Sequence, residues 1–233
     1  MLARLVCLLA LLIVPGAARA QEPWTRPDGC VAKNWSEVEG FRNWINHTPR
    51  DNSLDWAGER SRWSGRDDVW RWLDRLYLAI DGGRVVSLVD CPFTDSLYLY
   101  RYEKYDEIGR FHIVGVRFYE DLLYALVVKK TGKIVVIPEL PVWSPDRSRF
   151  AYAACNLLNS RAQIVVMVMA GEEPKLEGEA PLPCVSLGDC RISWESNTVV
   201  NADCQAHPGQ APGREVVRLT RRGESWMATM SNR

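Results

Sequence analysis

The chain of 233 residues carries 29 Lys and Arg against 29 Asp and Glu. That balance gives no reason to expect a basic surface for nucleic acid, and the length suffices for one domain with a full hydrophobic core.

Residues 1–20 predict a cleavable secretory signal peptide. Arg4 precedes an apolar run from Leu5 to Val14, followed by Pro15-Gly16 and the small-residue ending Ala18-Arg19-Ala20. The run is about half of the ~20 residues needed to span a bilayer as a helix, so it reads as a signal and not as an anchor. Cleavage after Ala20 removes two arginines and no acid, leaving 27 basic and 29 acidic side chains on 213 residues. The processed chain is expected in the periplasm or outside the cell, with no transmembrane anchor.

Residues 21–65 read as a loop-rich, Trp-rich cover with one short helix over 36–46. There Val38, Phe41, Trp44 and Ile45 fall at helical spacing behind Ser36. Residues 66–233 read as an all-β domain of antiparallel meanders, and 21–233 as one globular unit.

The strand series begins with Leu76–Ile80 and Val85–Val89, a hairpin about Asp81-Gly82-Gly83. Leu97–Tyr102, Phe111–Tyr119 and Leu122–Val128 follow, and the turn Thr131-Gly132-Lys133 leads into Ile134–Ile137. Phe150–Ala154 and Gln163–Met169 come next. Beyond Pro183 stand Arg191–Trp194, Thr198–Ala202, and the hairpin Val216–Thr220 with Trp226–Met230. So many short strands with little helical pattern between them fit a propeller-like stack of meanders or, alternatively, a β-sandwich.

The segment Trp143-Ser144-Pro145-Asp146-Arg147-Ser148-Arg149-Phe150-Ala151 resembles the turn W/F-S-P-D-G-x-x-[IFL]-A of TolB-like and WD40-like propeller repeats, with Arg147 where the repeat carries Gly. Its placement after a strand, Thr-Gly turn and strand also resembles a class of uncharacterised bacterial exported β-proteins. The resemblance implies blade-like meanders and nothing about chemistry. Physically the segment is a structural turn, because Pro145 fixes φ and Asp146 can bond the backbone beyond it.

Six cysteines follow the signal: Cys30, Cys91, Cys155, Cys184, Cys190 and Cys204. In an oxidising compartment they are disulfide candidates. Gly188-Asp189 favours a ring from Cys184 to Cys190. Zinc competes for the same residues, but no CxxC spacing occurs and His207 has no second His nearby, so no metal or cofactor is expected.

His47, His112 and His207 are the only imidazoles, and none stands in a metal or nucleophile motif. The adjacent acids Asp67-Asp68, Asp106-Glu107, Glu120-Asp121 and Glu172-Glu173 read as solvated charge rather than a glycosidase pair. No catalytic residue is assigned.

Seven of the ten tryptophans lie between Trp24 and Trp72, interleaved with arginines, a pairing common at interfaces. Trp63, Trp70 and Trp72 are therefore binding candidates, as is the alternating stripe Tyr98, Tyr100 and Tyr102; core or cover packing is the competing reading for each. The expectation is an exported, non-catalytic β-domain that binds a protein partner or cell-envelope component. The alternative is a carbohydrate-binding or carbohydrate-active protein that stacks sugars on exposed Trp and Tyr.

Overall fold

The computed structural model describes residues 56–72, 75–90, 98–118, 121–154, 162–182, 190–205 and 214–232. The predicted signal peptide over 1–20, the predicted helix over 36–46 and Cys30, Cys91, Cys155 and Cys184 lie outside the described residues. So do His47 and His207.

The described chain is almost wholly antiparallel sheet, laid down in four meanders. After helix α1 (Trp56–Arg62), β1 (Val69–Trp72), β2 (Arg75–Ile80) and β3 (Arg84–Val89) make the first sheet. The second comprises β4 (Tyr98–Asp106), β5 (Phe111–Phe118), β6 (Asp121–Val128) and β7 (Ile134–Ile137). In the third, β8 (Val142–Trp143), β9 (Arg149–Ala154), β10 (Gln163–Ala170) and β11 (Glu173–Pro181) pair in chain order. The last holds β12 (Arg191–Ser196), β13 (Val199–Gln205), β14 (Arg214–Arg222) and β15 (Ser225–Asn232). The described strands do not close into a barrel.

Alternation decides which side chains meet between sheets. Leu76, Leu78 and Ile80 of β2 pack with Val114 and Val116 of β5 and Val127 of β6, sealing the first sheet to the second. The other face of β5 gives Phe111 and Ile113, which join Phe150, Val165 and Met167 of the third sheet. Ile164 and Val166, on the opposite face of β10, meet Val200, Ala202, Val217 and Leu219 of the fourth. Interior strands such as β10 are thus covered on both faces and read as unbroken apolar runs. Phe111 and Phe150 are fully buried, each contributing roughly 1.5–3 kcal/mol of burial.

Three edge strands carry a β-bulge, and the extra residue of each is a glutamate. Glu103 is inserted in β4, Glu177 in β11 and Glu195 in β12. Each is neutralised by arginine. Arg101 and Arg62 donate to Glu103 at 2.6–3.0 Å, Arg149 donates to Glu177 at 2.6 and 2.9 Å, and Arg218 holds Glu195. A bulge with a charge is a common way to blunt a sheet edge.

Several sequence expectations need correction. Trp56–Arg62 is helical where the cover was read as loop up to Gly65, and β4 runs on to Asp106. Strands β8 and β11 were not foreseen, and β1 showed only in the two-residue spacing that puts Trp70 and Trp72 on one strand face. Cys190 pairs with Cys204, 4.1 Å away between Cα atoms, and not with Cys184. The physical reason is register: Arg191 stands opposite Asp203, so the next residues outward, Cys190 and Cys204, face each other across the hairpin.

Candidate functional site

The first sheet has two unlike faces. Val69 and Arg71 of β1 point toward the second sheet, so Trp70 and Trp72 must point away from it. Trp70 lies opposite Tyr77 of β2, and the two rings stack with centroids 5.3 Å apart and planes 7° apart. Trp72, opposite Arg75, is 67% exposed. Because β1 is an edge strand, the result is a flat aromatic shelf at the rim of the outermost described sheet.

Beneath the shelf a buried ion cluster fixes β1. The Arg71 guanidinium donates to Glu59 of α1 at 2.9 and 3.0 Å, to Asp90 at 2.8 Å and to the Tyr100 carbonyl. Burial disfavours its charge, but Asp90 and Glu59 outweigh that and raise its pKa. Glu59 and Asp90 in turn accept the backbone N–H groups of Tyr102 and Tyr100, both at 2.8 Å. One arginine therefore ties α1, β1, the end of β3 and β4 together, with every acceptor occupied.

A second cluster lies where residues 66–68 meet the second sheet. Arg66 donates to both Asp68 oxygens at 2.9 and 3.0 Å, and Lys129 Nζ reaches Asp68 at 2.5 Å and the Ala79 carbonyl at 2.8 Å. Burial works against the Asp68 carboxylate, but these hydrogen bonds outweigh it and hold its pKa at about 2. His112 is fully buried beside this group, its Nε2 3.8 Å from Asp68 and its Nδ1 3.5 Å from the Tyr102 hydroxyl. Burial pushes the imidazole down to about 4, against the pull of Asp68, so it is neutral near pH 7. Arg66 also lies over the Tyr105 ring, 4.3 Å from its centroid.

The acids read as solvated pairs are in part structural. Asp106 accepts the N–H groups of Ile108 and Gly109 and the Trp143 indole N–H, at 2.8–3.0 Å. Glu172 pairs with Arg110 and Glu173 with Lys133 across the second and third sheets. The long-range partners leave no mark in the sequence, because they come from segments far apart in the chain; the roles of Glu59, Arg71, Asp90 and Lys129 were missed for that reason.

Of the predicted binding residues, Trp70 and Trp72 share the exposed shelf. Trp63 packs against the core, edge-on to Tyr102 at 6.3 Å. Tyr100 and Tyr102 are 6% and 0% exposed, so the proposed solvent-facing tyrosine stripe fails at both: their face of β4 is the one turned to the first sheet. Tyr98 begins β4, but its side chain lies outside what is described. Among the described residues no cluster of His, Cys, Asp and Glu fits a metal ion, and no helix is long and apolar enough to cross a membrane. Compared with protein-family models and with curated proteins, the chain matches none.

Proposed function

We propose that the chain is an exported, non-catalytic β-domain that binds a protein partner of the cell envelope or exterior through Trp70, Trp72 and Tyr77. The observation that carries this reading is the 67% exposure of Trp72 next to the Trp70–Tyr77 stack. Large aromatics held rigidly at a surface are the residues most often found to anchor protein interfaces. The non-catalytic part draws support from the charged groups: Asp68, Asp106 and Glu177 are each occupied by donors that join neighbouring elements.

The same reading takes the four meanders as blades of a propeller-like stack. It draws on their consecutive order and on the turn after Trp143, where Arg147 adopts a left-handed φ of 60° at the position that carries Gly in the repeat it resembles.

The test is a cross-linking pull-down of the tagged chain from its native envelope or secretome, read by mass spectrometry. One stoichiometric protein should be recovered by the unsubstituted chain and by Leu176→Ala, and lost with Trp70→Ala/Trp72→Ala at unchanged melting temperature. Retention by the double variant, recovery of glycan in place of protein, or a turnover abolished by a single carboxylate or His substitution would each overturn the proposal.

A further inference from the structure

Sheet edges offer unpaired N–H and C=O groups, and natural proteins guard them with bulges, charges, prolines or shortness. Among the described residues the edges of this fold follow that rule with one exception. Strands β4, β11 and β12 are bulged and charged, β1 and β7 span four residues, β8 spans two, and β3 opens on Arg84. Strand β15 is guarded by none of these. Its eight residues, Ser-Trp-Met-Ala-Thr-Met-Ser-Asn, include no charge and no proline. They pair with β14 in unbroken register from Ser225 to Asn232, with no bulge. Strand β15 ends the order of its sheet, and residues 227–231 are all exposed, Met227 at 49% and Met230 at 62%.

We infer that β15 is the strand through which two copies of this chain join, antiparallel and edge to edge, as one continuous eight-stranded sheet. The edge itself demands an extended strand, since nothing else presents donors and acceptors at the same repeat. The composition selects a second copy. In antiparallel self-pairing a charge on the axis faces its own copy, and because β15 carries no charge at any position no register of self-pairing is opposed. A two-fold axis normal to the sheet requires opposed residues to lie on the same face. With the axis beside Ala228, Ala228 meets Ala228 of the second copy, Met227 meets Thr229, and Trp226 meets Met230. The thioether then lies against an indole, a favourable contact, and the exposed Met230 gains cover on both sides of the axis. This interface is separate from the aromatic shelf, which stands on the first sheet.

The test is sedimentation of the full chain over a concentration series, beside three variants. The unsubstituted chain and Trp72→Ala should dimerise alike. Ala228→Lys sets two ammonium groups on the axis and should weaken the dimer by at least about tenfold, with an unchanged circular dichroism spectrum because Ala228 is exposed. Under mild oxidation Ala228→Cys should give a covalent dimer beyond any formed by the unsubstituted chain, and Ser225→Cys should not. A chain monomeric throughout, a dimer indifferent to Ala228→Lys, or protection from hydrogen exchange in the monomer of the outward-facing β15 amides, those not bonded to β14, would each overturn the proposal.

Discussion

The indole of Trp226 lies over Gly178 so closely that a Cβ on that glycine would stand 2.4 Å from Cδ1 and 2.6 Å from Cγ. This contact joins β15 to β11, and the same indole donates to Glu177 at 3.1 Å. Gly178→Ala must displace the ring and break that bond, at a cost of about 1–3 kcal/mol. A lower urea midpoint and shifted tryptophan fluorescence are expected; an unchanged midpoint would show that the ring moves aside freely.

Arg71 bridges Glu59 and Asp90, two carboxylates that are almost fully buried. Arg71→Met leaves both without their guanidinium, and a loss of about 3–5 kcal/mol follows from stranding buried charge. Arg71→Lys keeps the charge but cannot reach both carboxylates and the Tyr100 carbonyl at once. Its stability should fall between the two, as read from denaturant midpoints. Equal stability of all three proteins would refute the clasp.

Acid should loosen the fold in two stages. The folded His112 titrates at about 4 against an ordinary value of 6.5, so between those pH values the unfolded chain binds a proton that the folded chain refuses. Stability is therefore full above 6.5 and declines by about 3 kcal/mol as pH falls toward 4. Asp68, held at about 2 against 3.8, contributes stability above 3.8 that is lost as pH falls through 2. Urea midpoints measured from neutral pH downward should show the first decline, and His112→Leu should flatten it.

Closing the Cys190–Cys204 bridge fixes the ends of a hairpin 14 residues apart, a loop whose closure is worth about 3 kcal/mol. Cys204→Ala should lower stability by that order, with the further loss of a side chain that is fully buried. Reduction of the unsubstituted chain should reproduce the larger part of the effect; no response to reductant would mean the bridge adds nothing.

What the sequence makes legible follows from where each residue gets its partners. The hairpin of β2 and β3 shows itself through Leu76, Leu78 and Ile80 alternating before Asp81-Gly82-Gly83. Strands β5 and β10, covered on both faces, show as apolar runs. Strand β11 does not, because Pro174, Lys175, Glu177, Gly178 and Glu179 give it neither alternation nor β-propensity; its place is set by β10 and by Trp226. The shelf was half legible: Trp70 and Trp72 two residues apart share a face, but only the first sheet's packing tells that this face is the outer one. The tyrosines of β4 have the same spacing, and burial of Tyr100 and Tyr102 against the first sheet reverses the reading.

Arg147 holds a left-handed φ of 60° in the turn that follows Trp143. The turn is otherwise well satisfied: the Ser144 hydroxyl bonds Asp146 at 2.7 Å and the Arg149 carbonyl at 3.0 Å, and the Asp146 N–H donates to Asn197 at 2.9 Å. The side chain of Arg147 is exposed, so the turn depends on its backbone alone. A Cβ costs about 1–2 kcal/mol in this conformation, and glycine is free of that cost while adding disorder to the unfolded chain. Arg147→Gly is thus expected to raise stability by about 0.5–1 kcal/mol, and Arg147→Val, stiff at χ1, to lower it. Thermal denaturation of the two variants decides the matter, since a side-chain role for Arg147 would make both less stable than the unsubstituted chain.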